Sequence, residues 1–336
     1  MPDAPVPVPS ARRFRPPVHG AAAATGGPIP APAPPPAPAP PAEPPRGGLL
    51  RGLVRAVRPQ QWSKNVLVLA VPLAAGRIAD ADVLGPTLLA FVLFCLASGA
   101  VYLVNDVIDV EEDRRHPRKR SRPIAAGVVP RWLALALAVA LAALALAGGL
   151  LLTRPALAWV IGAYVVLQLG YCLGLKNQPV LDLAVVASGF LLRGVAGGVA
   201  AGLQLSQWFL LVASFGSLFM VAGKRYSELV VVGDSARTRR TLEEYSASYL
   251  RFVWSLSAGV ACTAYSLWAF EMGESRTGVP WAALSIAPFV LGILRYAVDV
   301  DQGTAGAPEE IVLHDRVLLV LGLAWAGAVG VGVVGG

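Results

Sequence analysis

The sequence predicts an all-α polytopic membrane protein built as a bundle of nine transmembrane helices. Three observations predict it. The 336 residues are 55% hydrophobic and only 15% charged, where soluble domains carry about 25% charged residues. Apolar runs approaching the roughly 20 residues needed to cross a bilayer recur along most of the chain. Lys and Arg are confined almost entirely to alternate connections between those runs, the pattern of cytoplasmic loops.

The tail comes first. Residues 1–50 hold seventeen of the 28 prolines, interleaved with Ala as in Ala31-Pro32-Ala33-Pro34-Pro35-Pro36. No apolar stretch there is long enough for a signal-peptide core. The composition predicts a disordered tail leaning towards polyproline II. Residues 51–336 form one transmembrane domain. Its apolar runs lie near 64–79, 84–106, 131–152, 155–175, 180–202, 206–224, 250–270, 280–298 and 315–334. Small residues such as Gly194, Gly197, Gly198 and Gly202 allow close helix packing in lipid and are compatible with a homo-oligomer.

Orientation follows from charge. With nine spans and a cytoplasmic N-terminus, the tail and the connections 105–130, 175–180, 224–250 and 298–315 share one side. That side carries nearly all 28 basic residues, against Arg77, Arg154 and Arg276 on the other. The net charge of +7 therefore reads as positive-inside charge in the plasma membrane, with no call for nucleic acid. Cys95, Cys172 and Cys262 all lie inside apolar runs and read as unpaired packing residues.

The motif richest in chemistry follows the second run. Asn105-Asp106-Val107-Ile108-Asp109-Val110-Glu111-Glu112-Asp113 leads straight into Arg114-Arg115-His116-Pro117-Arg118-Lys119-Arg120-Ser121-Arg122-Pro123. On a helix, Asp109, Asp113, Asp106 and Glu112 fall at roughly 40°, 80°, 100° and −20° from Asn105. Five oxygen-bearing side chains thus share one stripe about 120° wide. Such a stripe repels itself unless a cation neutralises it, and its hard oxygens suit Mg²⁺, or Mn²⁺ in its place. As a mere solvated helix end it would be unfavourable, because acids there oppose the helix dipole. Arg118, Lys119, Arg120 and Arg122 suit phosphate oxygens as well as lipid headgroups. Pro117 and Pro123 break the helix and make the run a loop able to fold back over the site. The two halves together describe a metal–phosphate site at a membrane surface.

Further groups open to the same side. Arg58-Pro59-Gln60-Gln61-Trp62-Ser63-Lys64-Asn65 stands at the entry of the first run. Gln61 and Lys64 would face the cavity mouth, although Trp and Lys are also ordinary interfacial anchors. Lys176-Asn177-Gln178-Pro179 follows the fourth run and Lys224-Arg225-Tyr226-Ser227-Glu228 the sixth. Arg193 lies mid-span, where an isolated cation is costly. It is expected to face the interior and meet an anion: Asp182, a stripe carboxylate or a bound phosphate. Residues 229–249, where Glu243, Glu244 and Tyr245 follow Arg237, Arg239 and Arg240, read as a polar connection. There is no Walker loop, GxGxxG or HExxH. His19, His116 and His314 are the only histidines, so the chemistry is expected to need no histidine base.

The spacing Asn105-Asp106-x-x-Asp109-x-x-x-Asp113, at the end of the second of nine runs, resembles the first aspartate-rich motif of the UbiA superfamily of intramembrane prenyltransferases. The resemblance spans about residues 50–336. Superfamily members carry a second aspartate-rich motif after the sixth span, where this chain has Lys224-Arg225-Tyr226-Ser227-Glu228. The same departure marks the subfamily that transfers phosphoribose to decaprenyl phosphate. Arg58-Pro59-x-Gln61-Trp62-x-Lys64-Asn65, Ala100-Val101-Tyr102-Leu103-Val104-Asn105-Asp106, Arg122-Pro123-Ile124-Ala125-Ala126-Gly127 and Gly223-Lys224-Arg225-Tyr226-x-Glu228-Leu229 are similar to that subfamily.

The resemblance implies a cytoplasmic-facing cavity and Mg²⁺-dependent transfer of 5-phosphoribose from 5-phosphoribosyl-1-diphosphate (PRPP) to a polyprenyl phosphate. Diphosphate is released, and the product feeds cell-wall arabinan synthesis. Asn105, Asp109 and Asp113 are then expected to ligate the metal with Asp106 beside them. Asn105, Asp106 and Asp109 would carry catalysis by holding the leaving diphosphate. Arg118, Lys119, Arg120 and Arg122 would contact PRPP phosphates, and Lys64, Gln61, Lys176 and Tyr171 would complete that pocket. Lys224, Arg225 and Arg193 stay open between the lipid phosphate and the 5-phosphate. The alternative is a prenyl transfer from a prenyl diphosphate to an aromatic acceptor, for which a second Asp pair is missing. A transporter would hold its charges near the bilayer midplane, whereas these crowd one surface. A scaffold would leave the stripe unexplained.

Overall fold

A bilayer offers no water to backbone groups, so a chain this apolar must satisfy its N–H and C=O groups within helices. The computed structural model describes residues 48–232, 244–272, 278–306, 311 and 314–334, and every element among them is helical. Almost all of the Pro/Ala-rich tail, with His19, lies outside the described residues, as do Arg237, Arg239, Arg240, Glu243 and Arg276.

Helix α1 (Leu49–Ala56) leads into a 3₁₀ stretch, Pro59–Leu69, and the short α2 (Ala70–Ala74). Helices α3 (Ala81–Ile108) and α4 (Val110–Arg115) carry the acidic motif. Next come a 3₁₀ turn, Lys119–Ser121, α5 (Arg131–Leu151), α6 (Pro155–Leu173) and a second such turn, Leu175–Asn177. Then follow α7 (Leu181–Ala201), α8 (Gln207–Val232) and α9 (Ala247–Glu271). The chain closes with α10 (Trp281–Leu284), α11 (Ile286–Asp301) and α12 (Arg316–Val334). Among the described residues, seven helical stretches are long and apolar enough to cross a membrane: α3, α5, α6, α7, α8, α9 and the α10–α11 pair. A shorter apolar stretch, Arg316–Gly332, lies in α12. The chain is a multi-pass membrane protein.

The first predicted run, 64–79, folds differently. It begins inside the 3₁₀ stretch of 11 residues and continues through the five residues of α2. A 3₁₀ run this long is uncommon and often marks a functional segment. Arg58 enters it from the left-handed region, with φ 54° and ψ 63°. Pro72 lies within α2, and Gly76, whose φ is positive, follows its end, which keeps α2 to five residues.

Helix α3 has 28 residues, about 42 Å of rise, and runs against the 3₁₀ stretch, α5, α6 and α7. Its neighbours bury Phe94, Leu157 and Ile161 in one apolar core. Helix α8 lies along α9 and packs on α11, burying Phe219, Leu250 and Val300 in a second core. Outward faces stay apolar: Trp159 on α6 is 81% exposed and Leu151 on α5 is 76% exposed, as a lipid-facing surface requires. The three cysteines are free, in accord with their reading as packing residues.

Arg193 departs from the expected anion pairing. It is 6% exposed on α7, yet no carboxylate meets it among the described residues. Its Nε donates to Asn65 Oδ1 at 2.8 Å, Nη1 to the Gly189 carbonyl at 2.6 Å and Nη2 to the Tyr164 hydroxyl at 3.1 Å. The guanidinium also stands 5.0 Å from the Tyr164 ring centroid and 5.6 Å from that of Phe190. A flat cation with several donors is neutralised here by dipoles and π faces from several elements in place of one negative charge. The Asn65 amide passes the link on to Cys95 Sγ and Ser98 Oγ, each at 3.3 Å. The knot ties the 3₁₀ stretch, which carries Gln61 and Lys64, to α3, α6 and α7.

Gly197 makes the same junction sterically possible. A Cβ there would stand 1.7 Å from the Val68 carbonyl oxygen, a backbone atom that has no rotamer to escape into. Gly197→Ala should therefore lose on the order of 1–3 kcal/mol, read as a lowered melting temperature in detergent. Arg193→Met strands several buried acceptors at about 1–3 kcal/mol each. It should melt lower than Tyr164→Phe, which removes a single partner.

Candidate active site at the ends of α3, α6 and α8

The acidic motif sits on the junction of α3 and α4. Asp109 leaves helical geometry slightly, with φ −86° and ψ 7°. The ladder nevertheless continues, from the Asp109 N–H to the Asn105 carbonyl at 2.9 Å and from the Asp113 N–H to the Asp109 carbonyl at 2.8 Å. The register expected of one helix is thus nearly kept, and Asp106 and Asp113 are buried against the protein. Glu112, at the edge of the expected stripe, turns to solvent. Four oxygen-bearing side chains stay engaged with the protein where five were expected on one stripe.

These four face two ways. Asp106 Oδ1 accepts from Arg58 Nη2, and Arg122 Nη1 bridges Asp106 Oδ1 at 3.1 Å and Asp113 Oδ2 at 2.7 Å. Arg58 lies 4.9 Å from the Tyr102 ring centroid, which fixes its aim. Asn105 and Asp109 look instead towards the end of α6. Asn105 Oδ1 accepts from Cys172 Sγ at 3.4 Å, and Asp109 Oδ1 accepts from Lys176 Nζ at 2.5 Å. Each of the three aspartates is thereby matched by a cation.

Of the basic run, only Arg122 folds back over the motif. Arg118, Lys119 and Arg120 are exposed and form no ion pair among the described residues. His116 is a loop residue: its Nδ1 accepts the Arg118 and Lys119 N–H groups at 3.2 and 3.4 Å. Arg114 Nε donates to the Ala125 carbonyl at 3.1 Å and pins the far side of the loop. A hydrogen bond from Arg131, together with Arg114, holds the Glu111 carboxyl below the usual carboxylate range.

A second charged cluster joins α6, α7 and α8. Arg225, on α8, donates from Nε to Asp182 Oδ2 at 3.2 Å, from Nη1 to Glu228 Oε2 at 3.0 Å and from Nη2 to the Tyr171 hydroxyl at 3.5 Å. Asp182 also accepts from the Tyr245 hydroxyl. Arg225 and Tyr171, both expected at a phosphate, are thus engaged with one another. Lys224 beside them is half-buried and has no carboxylate partner among the described residues. Gln61 and Lys64 are half-buried on the 3₁₀ stretch. Sequence reasoning missed Arg58, Asn65 and Tyr245 as contributors. Arg58 and Asn65 stood inside a motif already singled out, whereas nothing in the spacing of Tyr245 points to Asp182.

The donor chemistry fits a hard divalent cation. All side-chain donors are oxygens, and Arg122 Nη1 already places positive charge between two of the carboxylates. Among the described residues no three His, Cys, Asp or Glu side chains converge as a ready-made cage. Asn105, Asp109 and Asp113, expected on one ion, are thus not gathered at one point, because Asp113 is drawn to Arg122 and Asp109 to Lys176. Mg²⁺ can also be held by one or two carboxylates with water and phosphates.

Comparison with known proteins bears on the family and the fold. Residues 66–314 match the UbiA prenyltransferase family. A decaprenyl-phosphate phosphoribosyltransferase of Mycobacterium tuberculosis is 55% identical over 297 residues, covering 87% of this chain and 97% of that protein. One from Corynebacterium glutamicum is 54% identical over 288 residues, covering 84% and 86%. In fold, the chain is similar to a UbiA homologue from Archaeoglobus fulgidus bound to GPP and Mg²⁺. The TM-score is 0.63 at 17% identity, over 84% of this chain and 99% of that one. The chain belongs to the UbiA prenyltransferase family.

Proposed function

We propose that this transferase moves 5-phosphoribose from PRPP to decaprenyl phosphate and releases diphosphate, supplying cell-wall arabinan synthesis. The carrying observation is the interleaving of the motif's aspartates with cations, Arg58 and Arg122 on Asp106, Arg122 on Asp113 and Lys176 on Asp109. Such an array suits a metal-bound diphosphate that also presents a separate phosphate. A prenyl diphosphate presents no such third phosphate. The naming of relatives 54–55% identical over most of their length supports the same donor and acceptor.

In this reading the bundle spans the plasma membrane nine times, with α12 as one further span and the continuous 3₁₀–α2 segment Pro59–Ala74 crossing as the other despite its mixed geometry. The basic connections and the cavity face the cytoplasm. Asn105 and Asp109, which face the same way, would hold Mg²⁺, and Asp113, with Asp106 beside it, would join them once Arg122 turns to a phosphate. When bound, the ion would neutralise charge gathering on the departing diphosphate. Arg58, Arg122 and Lys176 exchange their carboxylate partners for phosphate oxygens as the substrate enters, so no charge is left unpaired. Arg118, Lys119 and Arg120 at the mouth draw in the polyanionic donor, with Gln61 and Lys64 on the opposite rim. Lys224 faces a remaining phosphate, and the Arg225 cluster supports the wall behind it. The lipid phosphate has its second pKa near 6 and is largely ionised at neutral pH. It attacks without a base; His116, beside the motif, is instead engaged by the Arg118 and Lys119 N–H groups. Its oxygen forms the bond to the anomeric carbon while the bond from that carbon to the diphosphate oxygen breaks. The leaving group takes the electron pair, and the carbon inverts.

Purified protein in lipid vesicles, given labelled PRPP, decaprenyl phosphate and Mg²⁺, should yield labelled phosphoribosyl lipid. Product formed only from a prenyl diphosphate and an aromatic acceptor would refute this reading in favour of prenyl transfer. Chelating the metal should stop turnover and Mg²⁺ should restore it. Asp109→Ala should cut turnover by on the order of 10²–10³-fold while leaving the melting temperature within a few degrees of wild type.

A further inference from the structure

The α6–α7 connection carries Lys176 to Asp109, and its far end is strained. Val180 has φ 69° and ψ −48°. A β-branched residue rarely takes a positive φ, because its Cβ crowds the backbone. Strain of this kind persists only where surrounding contacts hold it. Here one side chain does so. The Tyr245 hydroxyl accepts the Val180 N–H at 2.7 Å and donates to Asp182 Oδ1 in the first turn of α7. Tyr245 and Asp182 are buried, 5% and 1% exposed. The Tyr245 ring stacks on Tyr249 with centroids 5.6 Å apart. Burial, then the bond to Asp182, raises the Tyr245 phenol above its ordinary value, so it stays a donor at neutral pH.

The link from Val180 back to Lys176 is short and stiff. Only Asn177, Gln178 and Pro179 intervene. The Asn177 N–H bonds the Gly174 carbonyl at 2.9 Å, and the Gln178 N–H bonds that of Leu175 at 3.1 Å. Pro179 has a fixed φ. A change at Val180 is therefore passed to Lys176 with little slack. We infer that Tyr245 is a positioning residue, which clamps Val180 so that Lys176 is presented to Asp109 for the transfer reaction. This rests on the function proposed above. It places a residue from the α8–α9 connection in control of a cation on the α6–α7 connection.

The test compares Tyr245→Phe with wild type in two readouts. The first is the rate at which Lys176, whose side chain is 25% exposed, reacts with an amine reagent, followed by mass spectrometry. The second is kcat/KM for PRPP in the vesicle assay. Loss of a hydrogen bond to a charged partner should speed labelling and lower kcat/KM, each about tenfold. Glycine takes positive φ freely, so Tyr245→Phe combined with Val180→Gly should return both close to wild type. In a Lys176→Met background, Tyr245→Phe should cost nothing further, since both act through one group. Unchanged Lys176 labelling in Tyr245→Phe, or a defect that Val180→Gly leaves in place, would overturn the inference. If wild-type protein transfers no phosphoribose, the proposed function falls, while the labelling experiment still decides the role of Tyr245.

Discussion

Buried charge at a membrane surface must be matched, and that single constraint organises this protein. Asp106 and Asp113 are almost completely withdrawn from solvent, where an unpaired carboxylate costs several kcal/mol. The cations that answer them come from far along the chain: Arg58 ahead of the 3₁₀ stretch and Arg122 beyond a folded-back loop. Much of the odd backbone follows from this. Arg58 sits in the left-handed region immediately before a proline, where both its own Cβ and the ring disfavour it. It is held there by Asp106 on one side and the Tyr102 ring on the other.

Behind the charged surface, Arg193 supplies rigidity without an acid. Its carbonyl, amide and phenol partners come from different elements. It therefore fixes the 3₁₀ stretch against α3, α6 and α7 while adding no negative charge near the motif. Gly197 lets the backbone of that stretch close upon α7. Lys64, and Arg58 at the entry of the stretch, are thus carried on a braced segment, although that segment lacks the α-helical ladder of its neighbours.

The end of α8 is where the proposed reaction would depart from prenyl transfer. Lys224 and Arg225 occupy the place of a second acidic motif. Arg225 is enclosed by Asp182, Glu228 and Tyr171 and acts as a cross-brace. Lys224 keeps its charge free of any carboxylate among the described residues. Interleaved acids and bases around the motif, in place of two facing acidic clusters, are the electrostatic basis on which PRPP is proposed as the donor.

What the sequence by itself determined is whatever depends on short-range pattern. Hydropathy is written along one dimension, so the spans from residue 81 onward are legible to within a few residues. Helical spacing likewise placed Asn105, Asp106, Asp109 and Asp113 together. The same reasoning did not show that 64–79 starts as a 3₁₀ stretch, because Leu and Val content reads alike whether or not Pro59, Pro72 and Gly76 allow one continuous α-helix. Only the tertiary structure decided the partners of each charge. Arg193 meets neutral dipoles, Arg122 turns inward while Arg118, Lys119 and Arg120 do not, and Tyr245 reaches Val180 across 65 residues of chain. These choices depend on which helix ends the bundle brings side by side, and no local spacing encodes that.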